Sequence, residues 1–77
     1  MTDHVFKKFP NYIEIIQVLL EKDATLREIC NDYEEICTWL EDYCRLRGRQ
    51  SEECDRAREV IRDLENEINL VLKNAGF

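Results

Sequence analysis

The residues of this chain best suited to chemistry are its four cysteines, Cys30, Cys37, Cys44 and Cys54, and its single histidine, His4. Thiols and an imidazole in one site could form a nucleophile with its base, a redox pair or a zinc centre. The spacing argues against most of this. Cys30, Cys37 and Cys44 follow one another at intervals of seven, which on a helix separates neighbours by about 10 Å along the axis. That span excludes a disulfide between neighbours and joint ligation of one zinc ion. His4 lies in the N-terminal stretch, so a Cys–His dyad is not expected. The heptad-spaced thiols read as small apolar packing residues, kept reduced. A redox-sensing role is left to Cys54, the cysteine nearest the loop that follows Arg47.

Other chemistries find no better support. Glu34-Glu35 and Glu41-Asp42 fall on a wet helix face, where a charge run serves solubility. There is no glycine-rich phosphate loop, no metal-ligand spacing and no cofactor motif. No catalytic residue is expected, and the chain reads as a non-enzyme. Its formal charge of −6 disfavours general nucleic-acid binding and attachment to an anionic membrane. No apolar run approaches a membrane span, and Met1 to Lys8 lacks the apolar core of a secretory signal. A cytoplasmic location is the expectation.

One cluster stands against that acidic background: Arg45, Arg47, Arg49, Arg56 and Arg58. The first three could complement the negative C-terminal end of a helix. Alternatively all five form an anion-binding tip for an acidic partner or an RNA phosphate. Arginines without interleaved aromatic residues suit sequence-specific RNA readout poorly.

The elements that position these residues follow from two heptad seams. Leu26, Cys30, Tyr33, Cys37, Leu40, Cys44 and Arg47 recur at steps of four and three. Cys54, Ala57, Ile61, Leu64, Ile68, Val71 and Ala75 do the same after a short loop. Such stripes bury each other. The expected fold class is all-α: an antiparallel, coiled-coil-like helical hairpin over 25–47 and 52–75, with a short additional N-terminal helix over 10–22. Gly48 stops one hairpin helix and Ser51 caps the other. Pairing the seams layer by layer sets Arg47 against Cys54, Cys44 against Ala57, Leu40 against Ile61 and Tyr33 against Ile68.

Pro10 opens the N-terminal helix, and residues 1–9 read as a flexible arm. Thr25 and Glu28 have the spacing of a capping box, which favours a break at Asp23-Ala24-Thr25 over one unbroken helix from Pro10. All 77 residues are expected to form one domain with a single thin core, which rarely supplies more than roughly 3–5 kcal/mol, so oligomerisation would help it.

The seam has unequal flanks. Arg27, Glu34, Glu41, Arg58 and Glu65 make one polar. Ile29, Ile36 and Tyr43, with Val60 opposite and Trp39 one position round, make the other too apolar for solvent. The N-terminal helix can cover only the half near Ile29 and Ile36. Ile36, Trp39, Tyr43 and Val60 are therefore the candidate partner-binding residues, for self-association as a homodimer or for another protein. The competing reading lays Trp39 flat on its own helix among charged side chains.

Phe9-Pro10-Asn11-Tyr12, then Ile16, Leu19, Leu20 and Asp23, resemble the opening of the YdcH-like family of small uncharacterised bacterial helical-hairpin proteins. Leu26, Ile29, Tyr33 and Ile36 continue the likeness, as do Arg62-Asp63-Leu64-Glu65-Asn66-Glu67-Ile68 and Leu72. It spans most of residues 6–73. The resemblance implies a bacterial cytoplasmic hairpin and transfers no catalytic residue. Family members tend to carry more lysine in the last helix, and this chain carries more cysteine.

Overall fold

The structure, a computed structural model, describes residues 2–48 and 51–75. Among these, all regular structure is helical and none is strand. Helix α1 spans Asp3–Lys8, a 3-10 turn covers Pro10–Tyr12, and α2 spans Ile13–Lys22. The long helices are α3, Ala24–Arg47, and α4, Glu52–Asn74.

Local chemistry explains most boundaries. Pro10 sits at the start of the 3-10 turn, where its missing N–H costs nothing. Asp23 is extended at φ −119° and ψ 104°, and its Oδ1 accepts from the Leu26 N–H at 3.1 Å. The break expected at 23–25 is therefore present, capped by Asp23 and not by Thr25, so α3 begins at Ala24. Ser51 caps α4, its hydroxyl accepting from the Cys54 N–H at 3.2 Å, with Glu52, Glu53 and Asp55 in the first turn. Gly48 ends α3 at φ 91°, a left-handed conformation that suits glycine.

The expectation of a flexible arm over 1–9 does not hold for its described residues, 2–9. Residues 3–8 are helical, with Val5 fully buried and Phe9 7% exposed. Thr2 offers no side-chain cap to this helix. The Glu34 carboxylate of α3 serves instead, accepting from the backbone N–H of His4 at 3.1 Å and of Val5 at 2.8 Å. A six-residue helix is too short to persist alone; burial and a cap borrowed from a distant helix hold it.

One apolar cluster joins the helices. Val5, Phe9, Ile16, Leu26, Cys30, Tyr33, Cys37, Ile68 and Leu72 form it, with Ile15, Leu19, Ile29, Ile61 and Leu64 packed against it. Both α1 and α2 pack on α3, which packs along α4. The molecule measures 40 × 21 × 19 Å, close to the length of α3 alone.

The pairing of α3 with α4 departs from the expected layers. Cys44 Sγ lies 3.1 Å from Cys54 Sγ, three positions short of Ala57. The Tyr33 hydroxyl donates to Glu65 Oε2 at 2.7 Å, three positions short of Ile68. The expected register put the Arg47 guanidinium into the last seam layer. Sliding α4 by this amount leaves Arg47 exposed and closes the seam on two cysteines, avoiding burial of a charge. Leu72 is buried, whereas Val71 of the expected seam is half-buried.

Ile68 is fully buried on α4, whereas Leu70, two residues on, is 58% exposed. Ile68→Ala is expected to cost ~2–5 kcal/mol in a urea titration followed by circular dichroism, and Leu70→Ala to stay within about 0.5 kcal/mol of wild type. Equal losses from both substitutions would mean that this face of α4 does not meet the core.

Candidate interaction groove

Heptad spacing on α3 and α4 leaves one flank of their seam without a covering helix among the described residues. Ile36 and Trp39 from α3 and Ala57, Val60 and Leu64 from α4 line an open groove there, of about 700 Å³. Asp32, Glu35, Glu53 and Arg56 stand along it, so an apolar floor carries charges of both signs. Trp39 is 43% exposed and Val60 45%.

Tyr43 reaches the groove through two contacts. Its ring stacks on Trp39 with centroids 4.8 Å apart and planes 22° off parallel. Its hydroxyl donates to Glu53 Oε2 of α4 at 3.3 Å. Of the four residues singled out in the sequence, Ile36, Trp39 and Val60 thus share one concavity, and Tyr43 is joined to it by stacking. Trp39 does lie against its own helix, since Tyr43 is one turn on. It keeps a large exposed face all the same.

A second hollow lies on the other side of Trp39, lined by Asp3, His4, Glu34, Glu35, Thr38, Trp39 and Asp42. Here His4 bridges two carboxylates of α3. Its Nδ1 lies 2.7 Å from Glu34 Oε1 and its Nε2 2.6 Å from Glu41 Oε1. Bonds first to Glu34 and then to Glu41 raise the imidazole pKa above its ordinary value of 6.5, outweighing partial burial. Partial burial pushes Glu34 up, but the Val5 N–H and His4 bonds outweigh it and leave the carboxyl below its usual 4.5. Lys8 Nζ adds a loose ion pair to Glu65 of α4 at 3.8 Å. Helix α1 is thereby fastened on the flank that the sequence marks as polar.

Sequence reasoning assigned His4 no role. The signal was present in outline: Asp3 at the start, Lys7 and Lys8 at the end, and apolar Val5 and Phe9 four apart.

Arg45 bonds Asp42 and Arg58 bonds Asp55, each within one turn of its own helix. Arg56 lines the groove. Arg47 is exposed in the last turn of α3, and Arg49 lies outside the described residues. Cys30 and Cys37 sit in the core, where burial pushes each thiol up to about 11. Among the described residues no group of three His, Cys, Asp or Glu side chains could hold a metal ion. No described helix is long and apolar enough to cross a membrane.

Comparison with known proteins adds no relative: no protein-family model matches the chain, and neither does a curated protein or a solved structure.

The His4 clamp has a definite pH signature. A raised histidine pKa contributes stability that is complete below about 6.5 and lost as pH climbs through the folded-state value. The depressed Glu34 pKa contributes stability present above 4.5 and lost as pH falls. His4→Ala is expected to lower stability by about 1 kcal/mol near pH 6 and by progressively less as pH rises through the folded-state histidine pKa. Urea midpoints measured across that range check this; a mutant deficit independent of pH contradicts it.

Proposed function

We propose that this chain is a non-enzymatic, cytoplasmic interaction module. In this reading α3 and α4 form an antiparallel hairpin that presents its open flank to a protein partner, in the first instance a second copy of the chain. One observation carries the proposal: the half-exposed, stacked Trp39–Tyr43 pair at the edge of an apolar groove. Tryptophan and tyrosine anchor interfaces because each buries a large rigid surface and keeps a polar atom for a hydrogen bond.

Three further points support the reading. Tyr43–Glu53 and Cys44–Cys54 contacts near the turn, followed by Tyr33–Glu65 further along, suit antiparallel helices. The rim holds Arg56 as well as Asp32, Glu35 and Glu53, so two copies related by a two-fold axis could set opposite charges together. A domain this small gains stability by burying its leftover apolar face. The resemblance to YdcH-like hairpin proteins is of the same character, bacterial origin and a binding role being part of the proposal.

The anion-binding alternative has weaker support. Asp42 and Asp55 already bond Arg45 and Arg58, and Arg56 stands beside Glu53 on the groove.

Light scattering on reduced protein over a hundredfold concentration range tests the proposal. Wild type is expected to dimerise, and Trp39→Ala to raise the dissociation constant about 30-fold or more, the effect of losing a hot-spot aromatic. Arg47→Ala should leave assembly unchanged. A wild-type monomer at every concentration, or a dimer indifferent to Trp39, rejects self-association through this groove.

A further inference from the structure

Cys44 and Cys54 meet beside the turn between the two long helices, Sγ to Sγ at 3.1 Å, and both are thiols. Their surroundings differ from those of Cys30 and Cys37, whose burial holds them protonated. Cys54 is the third residue of α4, where backbone N–H groups and the helix dipole favour negative charge. The Ser51 hydroxyl accepts from the Cys54 N–H at 3.2 Å, and the Cys54 thiol donates to the Gly48 carbonyl at 3.7 Å. Ser51 first, then Cys44 and the Arg58 guanidinium, hold the Cys54 thiol below its ordinary pKa against the effect of burial. Cys54 is fully buried. Cys44 is only half-buried and reaches solvent.

From this placement we infer that Cys44 and Cys54 are an oxidative modification site, a dithiol that a peroxide converts into a reversible disulfide linking α3 to α4. Cys44 Sγ attacks the peroxide: an S–O bond forms, the O–O bond breaks, and one water leaves with the thiol proton. Cys54 Sγ then attacks the sulfenic sulfur of Cys44. The S–S bond forms, the S–O bond breaks, and hydroxide departs as water with the Cys54 proton. Two thiols lose two electrons and two protons, and one hydrogen peroxide becomes two waters. The sulfurs must approach by about 1 Å to reach bonding distance. A thiolate-leaning Cys54 suits the second step, in which the buried sulfur is the attacker. The crosslink closes a short ring around the Gly48 turn, as the cysteines are ten positions apart. It is independent of what occupies the groove.

The test uses the full reduced chain, treated with hydrogen peroxide in modest excess under native conditions. Thiols are then blocked with N-ethylmaleimide, and intact mass and peptide mapping are recorded. Expected is a monomer lighter by two hydrogens, with two blocked thiols at Cys30 and Cys37 and a Cys44–Cys54 crosslink. The thermal midpoint should rise on the order of 5–10 °C and return after dithiothreitol. Cys44→Ser, a near-isosteric change at a half-buried position, should abolish both crosslink and shift. Cys54→Ala, with folding checked by circular dichroism, should accumulate a sulfenic acid on Cys44 that dimedone traps. Four blocked thiols after peroxide, a crosslink through Cys30 or Cys37, or only intermolecular disulfides would overturn the inference.

Discussion

Everything in this molecule follows from the narrowness of the apolar stripe that α3 and α4 can bury between them. Two helices in contact cover one face each, and this chain fills that face partly with cysteine and alanine, which are small. Cys37 and Cys54 are buried between the helices, and so are the larger Tyr33 and Ile68. Helices α1 and α2 complete the core. Val5, Phe9 and Ile16 supply the volume that the two long helices lack.

The same limit decides which flank stays open. Helix α1 is attached on one side, through Glu34, Glu41 and Glu65. Once α1 docks there, no described helix remains to cover Ile36, Trp39 and Val60. The groove is thus the counterpart of the His4 clamp: one flank is sealed by charge and hydrogen bonds, the other left apolar and accessible. Hydrophobic surface of that kind is stabilised by meeting another apolar surface.

Periodicity made much of this legible. The heptads on either side of Gly48 placed both long helices within a residue of their ends, and Ser51 and Pro10 marked starts that backbone chemistry requires. Ile36, Trp39 and Val60 were identifiable because heptad arithmetic puts them on one flank. What escaped depends on contacts far apart in sequence. Helix α1 is capped by Glu34, thirty positions from His4, and no local pattern reveals a borrowed cap. The register of α4 escaped because heptads admit several slides, and the cost of burying Arg47 was the deciding quantity. The pairing of Cys44 with Cys54 depends on that slide. Equal spacing made three cysteines of α3 look alike, while their distances from the turn make one of them different.

Trp39 is the only tryptophan, so its fluorescence reports on the groove without ambiguity. Acrylamide quenching of that emission, compared between dilute and concentrated reduced protein, tests the central claim most directly. Filling of the groove by a second chain predicts efficient quenching in dilute solution, with a severalfold drop and a blue shift on concentration. Quenching that stays high at every concentration would contradict it, and quenching low throughout would place Trp39 inside the monomer's own core.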